Sequence, residues 1–375
     1  MFTRAEVEKL RNIQAPEPIV LSLYLRVPLD PGELRGLTAE AGDLMADIGA
    51  DSQDGISRVQ VSRADRDAVF DALAAHGRDW LGHTVAFFSC AQLDLFEVLP
   101  LPCAVPERGL LAIRPHVRPL LTALQRSPDY RVAIVDRRHS WVLAVSGTRV
   151  ETLARSFDEG LRSTGFGGWY GLEARRVQQR VIQLSHRHYR DVAAALERAA
   201  VVNPDIPLVI GGHHESIAHL LQVLPPAARN AFAGSLTSDT HSLTAAEIRE
   251  LAQPVIEDWV RRTEQKLTSE IIADAPRRLT AVGLPRTLAA AGQHAVAHLL
   301  VAHADLIPGF VCGRCGVLTT GRDDCPDWGT AACAVPDLLE ELAQRTLDDD
   351  GKVTTTRDTP FTVAARLRFP VSVAS

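Results

Sequence analysis

Apolar and polar positions follow two rhythms along the chain, and the places where the rhythm changes divide it. Thr3 followed by Glu6 has capping-box spacing and predicts a short opening helix. The β-branched, partly alternating run Ile19–Val27 reads as a strand that stops at Pro28 and the Asp30-Pro31 turn. Helical spacing over about 33–49 and 64–75 precedes two strand-like runs, Thr84–Cys90 and Leu93–Leu99. The Pro-rich stretch Leu99–Pro106, or the helix after it, is expected to end this first segment. Arg131–Asp136, Trp141–Ser146 and Arg149–Leu153 are strand-length runs with short polar turns, which predicts an antiparallel meander. A glycine-rich stretch over 163–171 follows, then the span 172–199, free of Pro and Gly and helical in rhythm. A strand (Pro207–Gly211), a helix, the Pro225-Pro226 break and a long helix opened by the Thr244 to Glu247 capping box carry this segment to about residue 272. The last segment reads as helix (Pro285–His294), strand (Ala297–Val301), a cysteine cluster, helix (Pro336–Leu347) and two strands, the last Thr362–Phe369.

This order predicts an α/β protein of three domains, over 1–125, 126–274 and 275–375. The middle domain is expected to hold a mixed sheet with a long helix after the glycine-rich loop. The C-terminal domain is expected to be an α/β sandwich with a cysteine-rich insert.

Composition narrows the classes. With 375 residues, 46% hydrophobic and 23% charged, the chain is long enough for proper cores and far from the composition of disorder. No apolar run approaches the roughly 18 residues of a membrane span, and the first residues carry charge where a signal peptide is apolar; a cytoplasmic protein with no membrane partner is expected. A net charge of −6 argues against a surface that is basic throughout. Three lysines stand against 37 arginines, the mark of a GC-rich bacterial genome, so arginine abundance by itself says little.

Local distribution says more. Four glycines (165, 167, 168 and 171) leave the loop few backbone restrictions, and residues 155–190 hold seven arginines against three acids in an otherwise acidic chain. Arg176, Arg180 and Arg187 recur on one helical face with Arg190 close to it, and Arg175 adjoins them. A basic helix behind an aromatic-tipped loop suits a phosphate backbone and stacked bases; a solvated arginine-rich helix is the plainer alternative. Cys312, Cys315, Cys325 and Cys333 are spaced to hold a structural Zn²⁺ through four thiolates, the alternative being reduced thiols in a polar loop. His294, His298 and His303 lack the Glu of a His-Glu-x-x-His motif and read as ordinary histidines, and Gly211–His214 reads as a strand-to-helix turn. Cys90 and Cys103 read as buried apolar residues.

The order of strand meander, Ser163–Trp169, long arginine-bearing helix and strand ending in glycines resembles the central domain of archaeal and eukaryotic class-1 peptide-chain release factors and of Pelota. The run Gly283–Val301, the cysteine-bearing insert, Asp350–Val353 and Ala364–Phe369 are similar to their C-terminal domain. The resemblance covers about 240 residues and rests on the order of elements. It implies a ribosome A-site factor acting in termination, rescue or hibernation, with rRNA and tRNA contacts and a translational GTPase as a further partner. In that family a Gly-Gly-Gln loop positions water against the peptidyl-tRNA ester; here Gly167-Gly168 is followed by Trp169. An indole has no ring acceptor and cannot take both roles of a carboxamide. Gln178 and Gln179 lie further along the helix as weaker candidates for hydrolysis. Trp169 and Tyr170 either stack on bases, or Trp169 folds back onto its own domain. Two other functions stay open: a peptidyl-tRNA hydrolase with an unconventional loop, and a zinc-stabilised stress protein with protein partners only.

Overall fold

The computed structural model describes residues 2–17, 19–48, 60–136, 139–147, 149–157, 172–237, 243–274, 279–302, 306–321, 332–356 and 359–371, the side chains of 157 and 172–185 excepted. Helix α1 (Arg4–Arg11) opens on the expected capping box, the Glu6 N–H donating to Thr3 Oγ1 at 3.4 Å and the Thr3 N–H to the Glu6 carboxylate at 2.6 Å. It is followed by β1 (Val20–Arg26), α2 (Leu34–Ala46), α3 (Arg63–His76), β2 (Thr84–Cys90), β3 (Leu95–Leu101), β4 (Arg108–Ala112) and α4 (Arg118–Arg126). The four strands form an antiparallel sheet in the order β3-β2-β1-β4. Leu21, Leu23, Val85 and Phe87 pack toward α2 and α3 on one face, while Tyr24, Ala86 and Phe88 pack toward α1 and α4 on the other. Burial on both faces explains why β1 and β2 are apolar runs and not clean alternations. The Pro-rich stretch Leu99–Pro106, one of the two expected ends of this segment, lies inside it: Leu99–Leu101 finish β3, and β4 returns to the same sheet. Pro100 is tolerated because β3 is an edge strand, where a missing N–H need not cost a ladder bond.

The next stretch holds β5 (Tyr130–Val135), β6 (His139–Ser146), β7 (Arg149–Phe157), α5 (Leu172–Val202), β8 (Leu208–Gly212), α6 (His214–Val223), α7 (Pro226–Asn230), β9 (Phe232–Thr237) and α8 (Ala245–Asp274). Its mixed sheet runs β7-β6-β5-β8-β9, with β5, β8 and β9 parallel. One face buries Ala133, Val135 and Ile210 under α5, α6 and α7; the other buries Val132, Ile134 and Val209 against Ile248, Ala252 and Ile256 of α8. The expected meander, the long helix and the Thr244–Glu247 capping box are all present. The strand β9 after the Pro225-Pro226 break adds to the expectation.

The remaining elements are β10 (Thr280–Val282), α9 (Leu284–Gly292), β11 (Val296–Ala302), β12 (Gly309–Cys312), β13 (Leu318–Thr319), β14 (Ala332–Val335), α10 (Leu338–Asp348), β15 (Lys352–Thr356) and β16 (Val363–Leu367). The larger sheet runs β10-β16-β11-β15, with β11 and β15 parallel. It is packed on one face by α9 and α10 and on the other by Leu267 and Ile271 of α8, which makes the expected α/β sandwich. The insert forms a small sheet, β13-β12-β14.

Contacts gather the chain into two units, Pro128–Thr263 and a second made of Met1–Ser127 with Glu264–Ser375. The second unit is joined by buried charge. Helix α4 has no side-chain cap of its own, since Val117 stands at its N-cap. Its first N–H groups are capped instead by Glu340 of α10, which accepts from Val117 at 3.0 Å and Arg118 at 2.8 Å. Asp337 caps α10 through the Leu339 N–H at 3.1 Å and meets His116 Nε2 at 3.1 Å and Arg118 Nη2 at 2.7 Å. Burial alone would raise the Asp337 pKa, but His116 and Arg118 outweigh it and hold the carboxyl below its ordinary value.

Candidate nucleic-acid interface

Helix α5 owes its position to a stripe at helical spacing. Tyr189, Val192, Ala193, Leu196 and Ala200 are buried against the sheet and α6. The Tyr189 hydroxyl donates to Ser216 Oγ at 3.2 Å, and its ring stacks on His219 at 5.7 Å between centroids, with His186 edge-on to the same imidazole. At the far end Arg131 of β5 satisfies the helix's last carbonyls, Nη2 donating to Ala199 at 2.7 Å and Asn203 at 3.1 Å. Burial lowers the pKa of that guanidinium. Strand β8 ends on Gly212 at φ +146°, where a Cβ would lie 2.1 Å from the Val135 carbonyl, so only glycine lets the chain turn there into α6. The Gly211–His214 segment is thus the strand-to-helix turn the sequence predicts.

The outer face of the helix is charged. Arg187 and Arg190 are exposed and make no ion pair among the described residues. They are three positions apart, so their guanidinium groups project on one side, opposite the buried stripe. Arg175, Arg176, Gln178, Gln179 and Arg180 fall on the first half of α5, and their side chains lie outside the described residues. The loop 163–171, with Gly167, Gly168, Trp169 and Tyr170, also lies outside them. The basic stretch therefore belongs to one continuous helix anchored at its C-terminal half.

The metal candidates are in the small C-terminal sheet. Cys312 ends β12 and is buried, Cys315 follows in a tight turn and is half-buried, and Cys333 is exposed on β14, the strand paired with β12. The Gly316 N–H donates to the Cys312 carbonyl at 2.8 Å, and the Cys312 N–H to the Val317 carbonyl at 2.9 Å, with Gly316 left-handed at φ +69°. Cys325 lies outside the described residues, and among those described no group of three or more His, Cys, Asp or Glu side chains is arranged to hold a metal. His294 pairs with Asp349 at 2.8 Å and His298 with Thr354 at 2.8 Å, so both have structural partners; His303 is outside the described residues. Cys90 is buried as expected, and Cys103 half-buried. No helix among the described residues is long and apolar enough to cross a membrane.

Residues 115–264 match the family profile described as bacterial archaeo-eukaryotic release factor family 10, so this stretch of the chain is similar to that family. No curated protein matches it. Among solved structures, the archaeal translation termination factor aRF1 is 14% identical over 97% of this chain and 96% of its own, with a TM-score of 0.25. Archaeoglobus fulgidus Pelota is 14% identical over 96% of this chain and all of its own, TM-score 0.37. Saccharomyces cerevisiae Dom34, described as a translation termination-like factor that interacts with Hbs1, is 10% identical over 79% and 81%, TM-score 0.43.

Proposed function

We propose that this protein is a translation factor that binds the ribosomal A site through its central unit and occupies stalled or idle ribosomes in the cytoplasm. The observation that carries the reading is the exposed pair Arg187 and Arg190 on α5, within the region that matches the release-factor family. Arg175, Arg176 and Arg180 extend the same helix toward the glycine-rich loop, and all five arginines contact rRNA or tRNA phosphates in this reading. Trp169 and Tyr170 stack on bases and anchor the loop. Because Trp169 stands where the family carries its glutamine, the factor occupies the site without hydrolysing peptidyl-tRNA. A translational GTPase is the delivery partner in this reading.

Sedimentation with ribosomes at two salt concentrations tests the reading. Binding that weakens with salt and is abolished in an Arg175, Arg176, Arg180 to Ala variant supports it; protein that stays in the supernatant at both concentrations overturns it. A peptidyl-tRNA release assay on the same complexes separates occupation from hydrolysis, since release above background would restore the hydrolase alternative with Gln178 or Gln179 as its first suspects.

The cysteine insert is proposed to hold one structural Zn²⁺ through Cys312, Cys315, Cys325 and Cys333. What supports the reading is the tight turn that brings Cys312 and Cys315 together at the Cys-x2-Cys spacing of a zinc knuckle. Metal analysis of purified protein should find zinc at one equivalent, absent from Cys312→Ser; protein with no bound metal would refute the site.

A further inference from the structure

The N-terminal sheet ends on β3, and nothing pairs with its outer side: the strand order is β3-β2-β1-β4, and among the described residues no backbone hydrogen bond reaches β3 except from β2. In an antiparallel ladder alternate residues turn their N–H and C=O outward. Pro100, opposite Val85, has no N–H to give to the ladder, so its parity is the outward one, and with it stand the backbone groups of Phe96 and Val98. The edge thus presents two donors and three acceptors in a row.

The side chains of Phe96 and Val98 line a groove of about 590 Å³ between β3 and α3. Ala72 and Ala75 of α3 leave room in its wall, and Trp80 closes one end, its ring edge-on to Phe87 at 5.8 Å. His76 leans on Trp80 and is held by Asp79 at 3.4 Å, so the aromatic wall is already in place. Phe96 is 41% exposed. Natural edges are usually blunted with lysines, bulges or covering segments; apart from Pro100 and Glu97, this edge instead shows apolar side chains beside a groove.

Charge selects among occupants. Asp71 lies in the groove wall, exposed, with no hydrogen bond or ion pair among the described residues, and Asp79 and Asp94 are exposed close by in sequence at the two ends. Arg78 stands exposed beside Asp79 at one end, so the group that attracts a cationic side chain is the unpaired Asp71 carboxylate in the groove wall. We propose that the groove between α3 and β3 binds an extended, basic and apolar peptide segment of a protein partner, added to the sheet as a fifth strand. The partner's backbone pairs with Phe96 and Val98, an apolar side chain enters between Ala72 and Trp80, and a lysine or arginine reaches Asp71. This site is independent of the ribosome reading of the central unit.

The test uses the full-length protein and a short fluorescent peptide alternating valine and lysine, followed by anisotropy, with amide shifts recorded on labelled protein. Saturable binding should weaken roughly tenfold or more in Asp71→Arg and in Phe96→Ser, both exposed positions where the fold should hold. Methylating the peptide nitrogens that face the edge should abolish it, and the perturbed amides should include Phe96 and Val98. Three results would each overturn the proposal: no saturation by the peptide, indifference to backbone methylation, or a single-stranded RNA oligomer that binds the groove more tightly and gains from Asp71→Arg.

Discussion

Two charged regions of this protein use the same residue types to opposite ends. At the start of α4 and α10, the side chains of His116, Arg118, Asp337 and Glu340 are 0 to 7% exposed and each meets a partner. On α8, Asp258 pairs with Arg261 and Arg262 where all three are about half exposed, and on α5 Arg187 and Arg190 face solvent. Water decides the difference. An exposed pair gives back in lost solvation and side-chain entropy most of what it gains. A buried group has already given up its solvation, so its partner cannot be removed cheaply. A buried charge therefore cannot lose its partner without cost to the fold, while exposed charge is free to meet a partner.

The largest effect should follow from breaking the buried set at its centre. Asp337→Ala leaves Arg118 and His116 without their carboxylate and removes the cap of α10; equilibrium denaturation should show a loss of about 3 to 5 kcal/mol. Replacing His116, Arg118 and Asp337 together by apolar residues of similar volume should recover most of that loss. If the triple variant is as unstable as Asp337→Ala, the stranded-charge account fails.

In the central unit the comparable weak point is steric. Gly212→Ala would drive a Cβ into the Val135 carbonyl at the turn that feeds α6, and a loss of about 2 kcal/mol or more is expected in thermal melts. A variant within about 0.5 kcal/mol of wild type would mean that the turn relaxes at little cost.

Glu341 connects burial to pH. Burial first, then the neighbouring Glu340, raises its pKa from 4.5 to about 7, Arg114 opposing them and Asp337 and Asp348 adding to them. A carboxyl that keeps its proton longer in the folded chain than in the unfolded one stabilises the fold most below about pH 4, and this contribution is lost as pH rises to about 7. Glu341→Gln should therefore stabilise the protein at pH 8 by on the order of 1 kcal/mol, allowing for partial exposure, and the gain should vanish by about pH 4. A gain independent of pH would assign the effect to packing.

How far these regions could be read from the sequence follows from the range of the interactions. The meander, α5 and both capping boxes were legible because apolar period, turn residues and spacings of three or four positions are local. Strands β4 and β9 were not, since Arg108–Ala112 is short and carries a glycine, and Phe232–Thr237 follows a double proline. Nothing near His116 announces Asp337, 221 positions away, or shows that α4 takes its cap from another helix. The candidate interface was legible for the same local reason: arginines at helical spacing and glycines in a cluster need no partner elsewhere in the chain to be noticed.

The smallest effect on stability should come where the functional effect is largest. Arg187→Ala with Arg190→Ala removes two exposed guanidinium groups that make no ion pair among the described residues, so the denaturation midpoint should correspond to a change within about 0.5 kcal/mol. Co-sedimentation with ribosomes should nevertheless fall, and its dependence on salt should flatten, because the slope of log K against log salt is set by the number of neutralised phosphates, at roughly one unit for each. Asp258→Ala is the matched control: it disturbs two exposed arginines on α8, and neither the denaturation midpoint nor the salt slope should move measurably. If the α5 variant bound as tightly as wild type, these arginines would be a solvated surface, and the division between charge that holds the fold and charge that meets a partner would lose its second half.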